Sequence, residues 1–172
     1  MKKKMIAAQL YTLRDYLKTP PDIAATLKKV KAIGYDHVQV SGLGPIEPAE
    51  LKKILDGEGL TCCATHESGA AIVSEPGKIV EKLNVLDCRY TAYPYPHVPL
   101  KTKEDCKKLA SDLNKSGKAL AKEGIVLCYH NHAIELERFG KSTALDIIYG
   151  ESNKKYLQGE IDTYWIQYGG GC

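Results

Sequence analysis

The densest run of chemically capable side chains is Tyr129-His130-Asn131-His132-Ala133-Ile134-Glu135-Leu136-Glu137. Residues two apart on a strand face the same way, so a strand running through His132 would bring two imidazoles together with a carboxylate close by. His, Glu and Asp donors suit a divalent cation of intermediate hardness, such as Mn²⁺, Co²⁺ or Zn²⁺. A plainer reading has His130 and His132 hydrogen-bonding neighbouring strand ends, with Glu135 and Glu137 as solvated loop acids. A lone H-x-H favours that plainer reading, so the decision rests on what else converges there.

Asp162 closes a later run, Gln158-Gly159-Glu160-Ile161. Neighbouring parallel strands lie about 4.8 Å apart, so a carboxylate there can share an ion with one on the preceding strand. Equally, Asp162 can cap a helix from Thr163 to Gln167. Trp165, the single tryptophan, reads either as a lid over an apolar substrate face or as helix packing. Other polar residues close other runs: Gln9 with Tyr11 and Arg14, Gln39 with Ser41, His66 with Glu67, and Tyr93 with His97. Polar residues gathered at strand ends form the active-site rim of a (β/α) barrel, although any parallel sheet also puts polar loops there.

The elements that must position these residues alternate along the chain. Strand-like runs begin near Met5, Asp36, Leu60, Leu86, Ile125 and Tyr156, with helical periodicity between them. Ile23, Leu27, Val30 and Ile33 make one apolar stripe, and Pro20-Pro21-Asp22 marks its start. A second stripe is Cys106, Leu109, Ala110 and Leu113, preceded by a capping box of Thr102 with Asp105. Pro48 suits a first helical position. Gly34, Gly59 and Gly124 each stand where a helix must turn into a strand, and each can take the left-handed conformation that ends a helix.

Strands joined by single helices pair parallel through right-handed crossovers, so the fold class is α/β. About 30 residues per unit matches the roughly 250 residues of an eight-unit barrel. The expectation is one domain over residues 1–172, a TIM-type (β/α) barrel of about six βα units. No G-x-G-x-x-G follows the first run and no G-x-x-x-x-G-K-[ST] occurs, so no nucleotide cofactor is expected.

Composition narrows the partners. The chain has 172 residues, a net charge of +3, 44% hydrophobic and 26% charged residues, which is a globular balance. No apolar run approaches the ~20 residues of a membrane span, and the start lacks a cleavable leader, so a cytoplasmic protein without membrane partners is expected. Lysines outnumber the three arginines, Arg14, Arg89 and Arg138, but are interleaved with acids, which gives nucleic-acid binding little support. Cys62, Cys63, Cys88, Cys106, Cys128 and Cys172 form no C-x-x-C pair and read as reduced and mostly buried.

Taken together, these residues resemble the xylose isomerase-like barrels, the sugar phosphate isomerases and epimerases. The resemblance runs through Ala8-Gln9-Leu10-Tyr11-Thr12-Leu13-Arg14-Asp15, Ile33-Gly34-Tyr35-Asp36-His37-Val38 and Ala64-Thr65-His66. Its most specific parts are Tyr129-His130-Asn131-His132-x-x-Glu135 and Ile161-Asp162-Thr163-Tyr164-Trp165. It implies one divalent metal (Mn, Zn, Co or Mg) held by a Glu after strand five, an Asp after strand six, a His after strand seven and a Glu after strand eight. By position Glu135 and Asp162 match the first two. The implied chemistry is proton transfer through an enediolate, with Glu135 as one catalytic glutamate and His66, His130, His132 and Trp165 around a small sugar or sugar phosphate.

The sequence departs from that pattern at Tyr168-Gly169-Gly170-Gly171-Cys172, where relatives would enter a sixth helix. Strands seven and eight, and with them half the ligand set, are then expected to be missing. Two expectations follow. The first is a truncated barrel, catalytically impaired as a single chain and stabilised as a homodimer or higher oligomer by exchange of strand–helix units. The alternative is an active metal-dependent isomerase or epimerase whose site is completed across the dimer. Unpaired strand edges and an uncovered interior motivate both. A DNA-repair endonuclease of the same superfamily would require a histidine-rich site that five histidines and no basic groove do not supply.

Overall fold

The computed structural model describes residues 6–171. Along the chain run β1 (Ala7–Gln9), a 3₁₀ segment (Leu10–Tyr16), α1 (Pro20–Ile33), β2 (His37–Val40), α2 (Pro48–Gly57) and β3 (Thr61–His66). Then come α3 (Gly69–Ser74), α4 (Pro76–Val85), β4 (Tyr90–Tyr93), α5 (Lys103–Lys122) and β5 (Val126–His130). A second 3₁₀ turn (Ile134–Leu136), β6 (Arg138–Phe139), β7 (Ser142–Thr143), α6 (Ala144–Gly150), β8 (Gln158–Glu160) and α7 (Thr163–Tyr168) complete it. The six expected runs therefore appear as β1, β2, β3, β4, β5 and β8. Met5, where the first run was expected to begin, and Cys172 lie outside the described residues.

The chain divides into two compact units, one of residues 1–66 with 81–90 and one of 67–80 with 91–172. In the first, β1 pairs parallel with β2 and β2 parallel with β3, in registers Ala7 to His37 and His37 to Thr61. Helix α1 starts as Pro20 predicts, inside a capping box of Thr19 with Asp22. Ile23, Leu27 and Val30 are buried as the stripe requires, but Ile33 is 74% exposed, because Gly34 turns the chain away before that position reaches the core. Gly34, Gly59 and Gly124 have φ of 111°, 64° and 71°, the left-handed conformation expected at each joint. The fourth run starts later than expected. Leu86 to Arg89 connect α4 to β4 through Asp87, whose φ of 51° turns the chain before β4 opens at Tyr90.

In the second unit β5 pairs parallel with β8, in register Cys128 to Gln158, Tyr129 to Gly159 and His130 to Glu160. The hairpin of β6 and β7 leads into α6. Helix α5 opens with the Thr102–Asp105 capping box and buries Cys106, Leu109, Ala110 and Leu113. A third box, Thr143 with Asp146, opens α6. Gly117 has a packing reason: a Cβ there would collide with the Tyr156 carbonyl, so this glycine lets the 20-residue helix lie directly on the chain entering β8. Among the described cysteines, Cys62, Cys88, Cys106 and Cys128 are buried thiols and Cys63 is half-buried. Among the described residues no helix is long and apolar enough to cross a membrane.

Candidate functional site

Strand β5 delivers His130 at its C-terminal end, and the register delivers Glu160 opposite it on β8. His130 Nδ1 stands 3.2 Å from Glu160 Oε1, and Nε2 stands 3.8 Å from Asp162 Oδ2. The histidine is buried, and both carboxylates are about three-quarters covered. One imidazole between two acids, in a poorly solvated place, can offer nitrogen and oxygen donors to a cation. Glu160 is the member that sequence reasoning missed. The register fixed by strand pairing puts Glu160, two residues before Asp162, level with His130, and the sequence carries no local signal of it.

Asp162 fulfils both of its alternatives. Its Oδ1 accepts the Trp165 backbone N–H at 3.1 Å and caps α7, while Oδ2 faces His130. The fully buried Asn131 fixes its backbone, donating from Nδ2 to the Asp162 carbonyl at 3.2 Å and accepting the Asp162 N–H at 2.9 Å.

Glu135 sits in the 3₁₀ turn that follows β5. It is fully buried, with Oε1 accepting from the Tyr129 hydroxyl at 3.0 Å and Oε2 accepting the His132 N–H at 2.7 Å. Burial raises its pKa above the ordinary glutamate value, against the lowering effect of these hydrogen bonds and of His130. Burial, and then the same carboxylate, lifts the Tyr129 hydroxyl, and Tyr93 rises to about 12 mainly through burial. The tyrosines extend the anchored layer: the Tyr93 and Tyr129 rings stack at 5.4 Å, Tyr93 OH meets His97 Nδ1 at 2.7 Å, and the Tyr149 hydroxyl donates to the Tyr129 carbonyl.

The two imidazoles come together, although not by strand alternation. Strand β5 ends at His130, so the period of two stops there, and the rings meet edge to face at 4.9 Å and 78°. His132 instead packs against Tyr95 at 5.2 Å and Trp165 at 5.0 Å. Trp165 also touches Tyr164 and Tyr168 of its own helix, so it is part of an aromatic cluster with one partner outside α7.

In the first unit, His66 ends β3 with Nδ1 3.1 Å from Ser41 Oγ. Both line a cavity of about 450 Å³ with Val40, Leu43, Ile46 and Lys82. Gln9 caps the following turn through Tyr11 N, and the Arg14 guanidinium lies 4.7 Å over the Tyr11 ring. Those two rim candidates have local structural partners.

No protein-family model matches the sequence, and no curated protein does. Solved structures do. A sugar phosphate isomerase/epimerase from Parabacteroides distasonis superposes with a TM-score of 0.87 at 19% identity, over 99% of this chain and 69% of its own. A second protein of that description and organism gives 0.80 at 24%, over 98% and 72%. An L-ribulose 3-epimerase gives 0.70 at 14%, over 96% and 63%. These likenesses show the fold: the chain is an α/β protein of the TIM-type (β/α) barrel kind, as the alternation of its elements predicts.

Proposed function

We propose that this chain is a divalent-metal-binding protein of the sugar isomerase and epimerase kind, with His130 and Glu160 as its cation donors and Asp162 beside them. One observation carries the reading, the 3.2 Å separation of His130 Nδ1 and Glu160 Oε1. Two adjacent ligands on an ion with bonds of about 2.1 Å stand roughly 3.0–3.4 Å apart, so the pair already has ligand spacing. The donor set also fits the chemistry, one imidazole nitrogen with carboxylate oxygens suiting Mn²⁺, Co²⁺, Zn²⁺ or, through the carboxylates, Mg²⁺. A cation bound there supplies Lewis-acid polarisation of a sugar carbonyl and its neighbouring hydroxyl.

The protein's own residues supply the rest. Glu135 stiffens the turn after β5 by holding Tyr129 and the His132 backbone, and so acts on the site by position. His132 and Trp165 offer ring faces against which the C–H side of a sugar can lie. His66, with Ser41, is the proposed hydroxyl-binding residue of the first unit's cavity.

A second reading is favoured by one fact: Glu135, expected as an acid–base catalyst, has both oxygens engaged. Under it the protein binds metal and sugar without turnover. Calorimetry with Mn²⁺ and Zn²⁺ on the wild type, on His130→Ala and on Glu160→Gln tests the site. Stoichiometric binding lost in both variants is expected, and equal binding by all three would remove the proposal. Proton exchange at the sugar carbon next to the carbonyl, followed in D₂O, then separates turnover from silent binding.

Self-association belongs to the same proposal. Ile161, Tyr164 and Tyr168 expose apolar side chains at the β8–α7 end, between 52% and 69% exposed, as surfaces that pair with another copy do. Sedimentation velocity at rising concentration should show a dimer, and a monomer throughout would refute it.

A further inference from the structure

The loop after β4 reads Pro94-Tyr95-Pro96-His97-Val98-Pro99. Each proline fixes its own φ at about −65° and narrows the choices of the residue before it, so Tyr95 has little backbone freedom. The loop is also tied to its surroundings. The Tyr93 hydroxyl accepts the His97 N–H at 2.9 Å and meets His97 Nδ1 at 2.7 Å. Gly69 of α3 lies so close that a Cβ there would stand 2.6 Å from the Tyr93 ring and 3.1 Å from the Tyr95 carbonyl. The Tyr95 ring is 53% exposed, yet it is set against His132 at 5.2 Å. An exposed ring already held in place loses little freedom when a ligand lands on it.

Tyr95 thereby lengthens the row of ring faces beside the cation pair. His132 touches both Tyr95 and Trp165, and its ring stands 4.9 Å from that of His130, whose Nδ1 faces Glu160. The fixed charge around this row is negative. Asp162 pairs with His130 and, among the described residues, with no lysine or arginine. Burial lifts Tyr149 to about 12 and Cys128 to about 11, and the carboxylates that add to it are Glu135 and Glu160 for the first and Glu160 for the second. Aromatic faces carry the negative end of the ring quadrupole, so they receive C–H groups and repel anions. A phosphate monoester would bring about two negative charges to that surface at neutral pH. An uncharged sugar brings hydroxyls for the carboxylates and C–H groups for the rings.

We infer that the substrate class of this site is an unphosphorylated sugar, a neutral ketose or its aldose partner, with one C–H face on the rings of Tyr95, His132 and Trp165. The inference rests on the cation-binding role proposed for His130 and Glu160. Tyr95 is its specificity-determining residue, because it supplies the ring face farthest along the loop and is held there without help from the ligand.

Trp165 is the single tryptophan, so its selectively excited emission reports this site. The full chain is titrated with D-fructose, D-tagatose and D-sorbose, and with the 6-phosphate of each, once with Zn²⁺ and once with a chelator. The expected result is a saturable shift with at least one free ketose, which binds about tenfold more tightly than its phosphate. Tyr95→Ala should weaken that binding by about three- to tenfold, and Tyr95→Phe, which keeps the ring, should bind as the wild type does. Phosphates that bind as tightly as the free sugars, no response to any free ketose, or undiminished binding by Tyr95→Ala would each overturn the inference. Calorimetric titration with Zn²⁺ separates this outcome from that of the cation site. Zn²⁺ binding without ketose binding ends the sugar assignment alone, whereas ketose binding without Zn²⁺ binding removes the cation role and leaves the sugar class.

Discussion

Asn131 holds Asp162 by the main chain and leaves its carboxylate to others: the amide donates to the Asp162 carbonyl and accepts from the Asp162 N–H. This two-point clamp ties the end of β5 to the end of β8, where the candidate donors stand. Asn131→Ala removes both bonds and strands buried peptide groups, an expected cost of about 2–4 kcal/mol. Urea unfolding measures it, and a loss below about 0.5 kcal/mol would show that the clamp is incidental.

Glu135 gives the protein a pH dependence of definite sign. Its folded pKa is raised above the ordinary value by burial, so the folded state binds its proton more tightly than the unfolded chain does. Its contribution is then full below the unfolded glutamate pKa of about 4.3 and is lost as pH rises through the folded value. Glu135→Gln cannot ionise. Its amide oxygen can accept the His132 N–H while its nitrogen donates to the Tyr129 hydroxyl oxygen, so both contacts are kept. Urea unfolding across the mildly acidic range should therefore show a flatter stability profile in the variant, and parallel profiles would disprove the assignment.

Replacing Asp162 separates its two roles. Asparagine keeps an oxygen for the Trp165 N–H, so Asp162→Asn should preserve α7 while weakening cation binding. Asp162→Ala should in addition cost about 1 kcal/mol through the lost cap. Cation titration and thermal unfolding of the two variants, side by side, check this, and equal stability would deny the capping role.

Much of this architecture was legible beforehand, for identifiable reasons. Gly34, Gly59 and Gly124 announced helix ends because few other residues tolerate a left-handed backbone. Cys106, Leu109, Ala110 and Leu113 announced a buried face because a helix repeats every 3.6 residues. The site was less legible, because strand length and register are set by partners remote in sequence. No local signal said that β5 stops at His130, which turned His132 toward Tyr95 and Trp165, or that Glu160 would stand level with His130. Glu135 matches a ligand by motif position, and the hydroxyl of Tyr129 reaching back to it from six residues earlier was hidden by the intervening turn.

Gly117 offers a test in which propensity and packing disagree. In a helix interior, glycine to alanine should stabilise by about 0.8–1 kcal/mol. Here the added methyl meets the Tyr156 carbonyl, so Gly117→Ala should instead destabilise by about 1–3 kcal/mol. A raised melting temperature would show that α5 can retreat from that segment.

The capping boxes of α5 and α6 share a weakness. Hydrogen bonds hold the Asp105 carboxyl below the usual range, chiefly that with the Thr102 hydroxyl, and hold Asp146 there chiefly through the Thr143 backbone N–H. Groups shifted downward stabilise the fold above their unfolded pKa and cease to do so as pH falls through the folded one. Two adjoining rods are therefore fastened at the same end by the same kind of latch. Acidification should loosen both starting turns together, making the leading edges of these helices the first amides to surrender their hydrogens to solvent.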